Sequence, residues 1–204
     1  MQHSSENTLT KENSLLTTGE QVRLIAYHFR EIMSALGLDT EDDSLRDTPL
    51  RVAKMFVHEA FMGLNPQNEP SVSLFRNNFN YKEIVLERDI PLYSYCEHHF
   101  VPIIGKVHIA YLSKGEVIGL SKLNRITHYY SKRPQVQERM TIQIAEHLKS
   151  VLQTEDVAVL IDAEHLCVAS RGIRHTGCST VTSSFHGAFR EPEHCSRLYA
   201  MLSV

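Results

Sequence analysis

The sequence predicts an α+β fold in which N-terminal helices precede an antiparallel sheet with helices on one face. In the first sixty residues, apolar side chains recur every three or four positions, which is the spacing of amphipathic helices. Alternating or wholly apolar runs bounded by turn residues follow, and these indicate strands. Two further helical patterns interrupt them between residues 121 and 152. Segregated groups of helices and strands are typical of the α+β class.

Capping signals define the two N-terminal helices. Thr17 or Thr18 is predicted to cap the first helix, with Glu20 or Gln21 completing a capping box, and Gly37 ends it. Its apolar positions are Val22, Ile25, Phe29, Ile32, Met33 and Leu36. The second helix is predicted to start at Asp47-Thr48-Pro49, where a proline in the first turn costs least, and to run to Gly63.

The strands are predicted from alternation and turn residues. The segment from Glu83 to Leu92 reads as a strand in which Pro91 marks either the end or a sheet edge. A hairpin is predicted from Lys106–Leu112 to Val117–Leu120 around Ser113-Lys114-Gly115-Glu116. After it, Ser121 caps a short helix and Gln135–Leu152 forms a longer one. The last pair of strands is Val157–Ala163 and Gly172–Phe185, with Gly177 as a candidate bulge.

Composition divides the chain into three parts. Residues 1–17 are polar without an apolar period and are expected to be a mobile tail. Residues 18–70 form a helical region that ends in a linker rich in proline and asparagine, and residues 71–204 form the larger domain. A short sheet with one helical face leaves open edges, so we expect an oligomer.

The overall charge excludes a general nucleic-acid footprint. The 204 residues are 42% hydrophobic and 22% charged, with a net charge of −3, so any anion site must be local. Four cysteines without a tight framework spacing favour a reducing compartment over a disulfide scaffold. Since the sequence shows neither a signal-peptide pattern nor a long apolar run, the cytoplasm is the expected location and no membrane contact is expected.

A metal site is predicted at Cys96 and His99, which are spaced C-x-x-H. Cys167 is the best candidate for a third ligand, because strand alternation would put His165 and Cys167 on one face. The alternative is that the thiols are free and buried, but two separate Cys/His clusters favour a metal. Thiolates favour zinc over magnesium or calcium, and three protein ligands leave one position open for water, as in catalytic sites.

Basic residues near helix starts predict a site for a polyanionic substrate. Lys122 and Arg125 share a face of the helix that Ser121 opens, where unpaired N–H groups attract anions. Arg51 and Lys54 repeat this spacing. Arg171, four residues after Cys167, adds a fork-shaped donor. The alternative for each group alone is a solvated basic face; together they favour binding of a polyanion.

The function of three further residues beside these motifs can be interpreted in two ways each. Glu138, next to Gln137 in the first turn of the long helix, either complements the helix dipole or accepts two N–H groups from a heterocycle such as guanine. His98 and His165 either shuttle protons beside a metal-activated water or are ordinary supporting histidines. The sequence leaves these readings open, and it assigns no role to Cys178 or Cys195.

Four motifs in this order and spacing resemble the GTP cyclohydrolase I family, from Gly19 to the C-terminus. They are Cys96-Glu97-His98-His99, Gly119-Leu120-Ser121-Lys122-Leu123-x-Arg125, Gln135-Val136-Gln137-Glu138-Arg139, and His165-x-Cys167 with Arg171-Gly172. The resemblance implies a catalytic domain of the tunnelling fold (T-fold) over residues 71–204 and a homodecamer of two face-to-face pentamers with sites at subunit boundaries. It implies GTP and water as substrates, 7,8-dihydroneopterin triphosphate and formate as products, and entry into folate or other pterin pathways.

The resemblance also implies a role for each matching residue. The zinc ligands are Cys96, His99 and Cys167. His165 protonates the imidazole ring of guanine, and His98 and Ser121 act near the ribose. Guanine is anchored by Glu138 with Gln137, and the triphosphate by Lys122, Arg125 and Arg171, joined by Arg51 and Lys54 of an adjacent subunit. Cys178 departs from a segment usually rich in serine and threonine, and the unmatched tail leaves regulation open. One alternative is another zinc hydrolase or T-fold enzyme that acts on a different purine or pterin. The other is a nucleotide-binding or scaffold protein with a structural zinc.

Overall fold

The computed structural model describes residues 16–203, and the chain divides into two compact units with the boundary between Met62 and Gly63. Most of the predicted mobile tail, residues 1–15, therefore lies outside the described residues. No helix within residues 16–203 has the length and apolar character needed to cross a membrane.

The first unit contains helices α1 (Thr18–Ala35) and α2 (Thr48–Met55), and α2 continues into one wider π-helical turn, Phe56–Ala60. The predicted capping box is confirmed, because the Thr17 N–H donates to Glu20 Oε2 at 2.7 Å and the Glu20 N–H donates to Thr17 Oγ1 at 3.3 Å. Gly37 ends α1 as predicted. Its φ of +76° suits glycine, and the Gly37 and Leu38 N–H groups satisfy the carbonyls of Ser34 and Met33.

Few residues of the first unit are buried. Met33 of α1 and Pro49 and Ala53 of α2 are buried, whereas Ile32 and Leu36 of the predicted apolar face are exposed. Large exposed apolar side chains on one helix indicate a face that contributes little to the core of its own unit.

The second unit is built on a five-stranded sheet in the order β5-β2-β3-β6-β7. Its strands are β2 (Ile84–Cys96), β3 (Pro102–Leu112), β5 (Pro134–Gln135), β6 (Val157–His165) and β7 (Thr180–Phe185). All neighbours are antiparallel except β5, a two-residue strand that pairs in parallel with Tyr95 and Cys96 at the end of β2. A separate two-stranded sheet joins β1 (Leu74–Arg76) to β4 (Glu116–Ile118).

The main core lies between this sheet and two long helices inserted between β3 and β6, α3 (Leu120–Ser131) and α4 (Gln137–Leu152). Alternation along β6 turns Val157, Val159, Ile161 and Ala163 toward α3 and α4, and all four are buried. The predicted α+β class is therefore confirmed, with α3 and α4 covering one face of a mainly antiparallel sheet. The short α5 (Leu166–Ala169) and α6 (Pro192–Leu202) complete the unit.

A smaller cluster lies on the other face of the sheet, where α6 was not predicted from the sequence. Leu198 of α6 and Phe189 pack against Ala110, Ala158 and Leu160, the residues that alternate with the main core positions. The rest of that sheet face carries exposed apolar side chains, including Tyr93 and Ile104.

Three local predictions need correction. The predicted hairpin is wrong, because both edges of β3 are occupied by β2 and β6, and β4 pairs with β1 instead. Ser121 does not cap α3; Gly119 is the N-cap residue, without a side-chain hydrogen bond. Only Thr180–Phe185 pairs with β6, since positive φ angles at Gly172, Arg174 and Gly177 bend the preceding segment.

The structure shows whether Pro91 marks the end of a strand or the edge of a sheet, which the sequence left open. β2 continues through Pro91, which pairs with Lys106 of β3, as far as Cys96. On its other side, β2 pairs with a strand of the described residues 16–203 only at Tyr95 and Cys96. Pro91 therefore lies on a sheet edge of this part of the chain, where its missing N–H is tolerated. This longer strand carries the chain directly to Cys96.

Candidate metal centre and active site

The loop after β2 is a tight turn that directs two of the predicted ligands the same way. The Phe100 N–H donates to the Cys96 carbonyl at 2.8 Å, and the Cys96 N–H donates to the Val101 carbonyl at 2.9 Å. Phe100 adopts a φ of +53°, and this left-handed residue closes the turn. As a result, Cys96 Sγ lies 4.0 Å from His99 Nδ1.

Cys167 reaches this loop by a route that the sequence did not predict. β6 ends at His165, and Cys167 lies in the following helical turn, so the alternation argument for placing the two residues on one face was wrong. The register of β6 with β3 pairs His165 with Ile103, just beyond the loop. The ligand atoms of Cys96, His99 and Cys167 consequently lie within 4.8 Å of one another.

The chemistry of this group fits zinc. Bonds of ~2.3 Å to sulfur and ~2.0 Å to nitrogen in a tetrahedron require ligand atoms about 3.5–4 Å apart, close to the spacing observed. Burial raises the pKa of the Cys167 thiol, and the neighbouring Cys96 sulfur raises it further. A divalent cation between the sulfurs would reverse this effect, because it stabilises the thiolates.

A salt bridge fixes the metal loop to the start of α4. The Glu97 carboxylate pairs with the Arg139 guanidinium, whose Nε also donates to Gln135 Oε1 at 3.1 Å. The Glu97 N–H donates to the Gln135 carbonyl at 3.0 Å. Both the backbone and the side chain of Glu97 are therefore tied to the segment that leads into α4. No role was predicted for Arg139 from the sequence, since its contact with Glu97 joins segments that are far apart in the chain.

His165 is held beside this centre by Gln137, the first residue of α4. His165 Nε2 lies 2.8 Å from Gln137 Oε1, and the Gln137 side chain is only 1% exposed. Burial lowers the pKa of His165, and the neighbouring Glu138 carboxylate opposes that effect. Glu138 itself is exposed on the first turn of α4. Because the Gln137 side chain is buried, it is not presented to a substrate as the predicted guanine anchor would require; the role of Glu138 is unaffected.

His98 and Arg171 also lie at the centre. His98 Nδ1 is 3.7 Å from Cys96 Sγ, and its Nε2 is 3.8 Å from Glu97 Oε1. Arg171 NH1 is 2.9 Å from His99 Nε2, the ring nitrogen of His99 that faces away from Cys96. The structure thus gathers the predicted metal ligands, both predicted proton-transfer histidines, Glu138 and one predicted phosphate ligand.

The start of α3, with Ser121, Lys122 and Arg125, lies away from this group. Asn124 of α3 contacts Glu87 Oε1 at 3.3 Å, and Cys96 lies nine residues further along β2. Because β2 is irregular between Glu87 and Ile90, that separation is at most about 30 Å at ~3.3 Å per residue. The opposite end of α3 is the one near the metal loop, since Lys132 Nζ lies 6.0 Å from the Tyr95 ring centre.

The other predicted basic residues lie on α3 of the second unit and on α2 of the first unit. Lys122 donates to the Ser71 carbonyl at 2.7 Å, and Ser121 and Arg125 are exposed. Arg51 and Lys54 are exposed on α2 of the first unit, where Arg51 donates to the Ser44 carbonyl and the Thr48 hydroxyl.

Comparison with known proteins gives the same family as the four sequence motifs. The sequence profile described as GTP cyclohydrolase I matches residues 25–203. The chain belongs to the GTP cyclohydrolase I family. A protein named GTP cyclohydrolase 1 from Flavobacterium johnsoniae is 53% identical over 190 residues, which cover 93% of this chain and 85% of that protein.

Other members of the GTP cyclohydrolase I family are similar over most of their length. The protein of that name from Buchnera aphidicola is 45% identical, covering 93% of this chain and 87% of its own. The one from Enterobacter sp. is 51% identical, covering 84% and 78%. A solved structure of an archaeosine synthase QueF-like protein in the apo form aligns with 52% of this chain and 94% of its own, at a TM-score of 0.43 and 14% identity.

Proposed function

We propose that this chain is a zinc-dependent hydrolase that opens the imidazole ring of GTP at C8, giving 7,8-dihydroneopterin triphosphate and formate. The observation that carries the proposal is the group Cys96, His99 and Cys167 beside His165, in a member of the GTP cyclohydrolase I family. The reaction would be the first step of tetrahydrofolate or another pterin synthesis, and we infer a cytoplasmic location from the cysteine usage.

Cys96, His99 and Cys167 would hold the zinc ion, and no further member of this ligand group lies within residues 16–203. When bound, zinc supplies a hydrolytic nucleophile near neutral pH by lowering the pKa of water from ~15.7 toward ~7. Three protein ligands match catalytic rather than structural zinc sites, and this argues against the alternative of a scaffold with a structural zinc.

The residues around the ion have distinct tasks in ring opening. C8 of guanine is a weak electrophile until N7 is protonated, and His165 would give N7 that proton. Glu138, one residue after the partner of His165, would accept the N1–H and amino group of guanine and so fix the base. A backbone N–H in the first turn of α4, such as that of Gln137, is suited to an acceptor on the base. Two hydrolytic events open the ring and release C8 as formate.

The sugar and triphosphate require groups from another copy of the chain. Ser121, Lys122 and Arg125 lie toward the end of α3 that is far from the metal loop, which supports a site shared between subunits. We propose that these residues, with Arg51 and Lys54, approach from neighbouring subunits, while Arg171 comes from the metal-bearing copy. His98 and Ser121 would then serve the ribose rearrangement. The outer edge of β7 has no partner strand within residues 16–203, which fits assembly into a homodecamer of two pentamers.

A mixing experiment tests the shared site. Cys167→Ala and Lys122→Ala/Arg125→Ala proteins should each be inactive at low GTP, the second because loss of two cations weakens triphosphate binding. When the two variants are unfolded and reassembled together, roughly a quarter of the sites regain both intact halves if the halves come from different subunits. Formate release should therefore reappear in the mixture. A mixture that assembles, binds zinc and stays inactive would contradict a shared site.

The Arg139 salt bridge should support metal binding. Arg139→Met keeps the length of the side chain but releases Glu97, so the metal loop loses a restraint. We expect zinc affinity, measured by chelator competition without nucleotide, to fall about 10–100-fold. Arg197→Met is the matched control, because Arg197 forms an equivalent pair with Glu83, a residue outside the metal loop. Equal zinc affinities for the two variants would show that the Glu97 contact does not position the loop.

A nucleotide panel separates the proposed function from the rival in which the enzyme acts on another purine. Formate release should be fastest with GTP, slower with ITP, which lacks the amino group facing Glu138, and slowest with ATP, which also lacks the N1–H. Glu138→Gln should reduce the difference between GTP and ITP. A faster reaction with ITP or ATP would reassign the substrate.

A further inference from the structure

The buried side chain of Gln137 joins His165 to the last two strands of the sheet. Gln137 Nε2 lies 3.1 Å from the Ile161 carbonyl oxygen, 2.8 Å from the Thr180 carbonyl oxygen and 3.1 Å from Thr182 Oγ1. On its other side, Gln137 Oε1 lies 2.8 Å from His165 Nε2. Every polar atom of this amide is therefore engaged inside the protein.

The orientation of the amide follows from its partners. Carbonyl oxygens only accept hydrogen bonds, so the amide must present its NH₂ group to Ile161 and Thr180, and its oxygen to His165. A flipped amide would place its oxygen against two carbonyl oxygens in a buried site, which is strongly unfavourable. The two carbonyl oxygens therefore fix the orientation of the amide.

The hydrogen bonds of two threonines are consistent with this orientation of the Gln137 amide. Thr141 Oγ1 donates to the main-chain carbonyl oxygen of Gln137 at 2.7 Å. Its hydrogen is then used, so in its 2.7 Å contact with Thr182 it must accept, and Thr182 donates. The oxygen of Thr182 is left to accept from Gln137 Nε2. The two hydrogens of Gln137 Nε2 are then shared among three acceptors, so one of these hydrogen bonds is bifurcated.

The orientation fixes the tautomer of His165. An amide oxygen cannot donate, so the atom that faces it, Nε2, must carry the ring hydrogen. In the neutral ring the lone pair is then on Nδ1.

From these contacts we propose that Gln137 is a positioning residue that keeps a proton on His165 Nε2. The proton given to the substrate therefore leaves from Nδ1, an inference that rests on the proposed function. In that step the Nδ1–H bond of the imidazolium breaks and an N–H bond forms at N7 of the purine. The ring is left neutral with its remaining proton on Nε2, still donating to Gln137. This assigns the side chain of Gln137 to the histidine and not to the base.

Solid-state NMR of protein labelled with ¹⁵N-histidine tests the tautomer directly. The zinc-loaded protein without nucleotide is measured well above ~6.5, the ordinary pKa of histidine, and the His165 signals are assigned by difference against His165→Ala. We expect a pyridine-type shift at Nδ1 and a pyrrole-type shift at Nε2. Gln137→Met should give mixed tautomers, whereas Gln143→Met, which removes another buried glutamine of α4, should leave the His165 signals unchanged.

Kinetics give a second readout of the same contact. Gln137→Met should lower kcat by about 10–100-fold, part of the ~10²–10⁴-fold that general acid catalysis contributes, with little change in KM for GTP. An Nδ1–H tautomer in the unsubstituted protein, or an unchanged His165 spectrum in Gln137→Met, would overturn the proposal. If the expected spectra were found in a protein that releases no formate from GTP, the proposed function would fail while the positioning role stood.

Discussion

Replacing Cys167 by alanine is expected to remove both the bound zinc and all turnover of GTP. The substitution leaves Cys96 and His99 as the remaining members of the ligand group, and two ligands do not hold zinc tightly. Zinc content should fall from about one ion per chain to less than ~0.1 after dialysis, measured by atomic emission. Formate release should fall below detection, because without the ion no hydroxide is available near neutral pH.

Cys178→Ala is the matched control for this loss. Cys178 is also partly exposed, but its thiol contacts the His175 carbonyl at 3.6 Å and it lies outside the ligand group. Its alanine variant should keep both zinc and activity. Retention of a full complement of zinc by Cys167→Ala would contradict the ligand assignment, and loss of zinc from both variants would point to unfolding and not to coordination.

Replacing His165 by alanine is expected to separate chemistry from metal binding. His165 is not in the ligand group, so the variant should keep its zinc. It should lose the acid that protonates the purine, and formate release should slow by about 10²–10⁴-fold, the usual contribution of a general acid. Binding of GTP should change little, because Glu138 and the triphosphate ligands remain. Stopped-flow formate assays and zinc analysis on the same sample measure both effects.

His186→Ala is a suitable control for the histidine variant. Like His165, His186 is partly buried, makes a 2.8 Å contact through Nε2, and has a pKa lowered by burial. It lies after β7, outside the candidate site, so its loss should leave turnover near that of the unsubstituted protein. Unchanged turnover in His165→Ala would refute its role as the acid. Loss of zinc in that variant would make it a ligand instead.

The features of the fold that were predictable from the sequence arise from interactions between residues close together in the chain. The capping box at Thr17 and Glu20, the stop at Gly37 and the proline in the first turn of α2 involve residues within four positions of one another. The pairing of β1 with β4 was missed because it joins segments about forty residues apart, and it is decided by which edges of β3 remain open.

In the candidate site, too, the local sequence features were predictable and the long-range contacts were not. Residue types and spacing identified the ligand group of Cys96, His99 and Cys167, because sulfur and imidazole at short spacing are a chemical signature. The separation of Lys122 from that group was not visible, since it depends on which end of α3 packs near the end of β2. Similarly, the buried contacts of Gln137 arise from the register of β6 and β7, which no local pattern specifies.

The most direct test of a zinc-dependent GTP hydrolase is product formation with and without the metal. Assembled protein loaded with zinc should release one formate for each pterin formed from GTP, the pterin being detected by fluorescence after oxidation. Removal of zinc by a chelator should stop both products, and restoring zinc should restore both. Formation of neither product by the zinc-loaded protein, or the same rate in the stripped protein, would contradict a zinc-dependent opening of the purine ring.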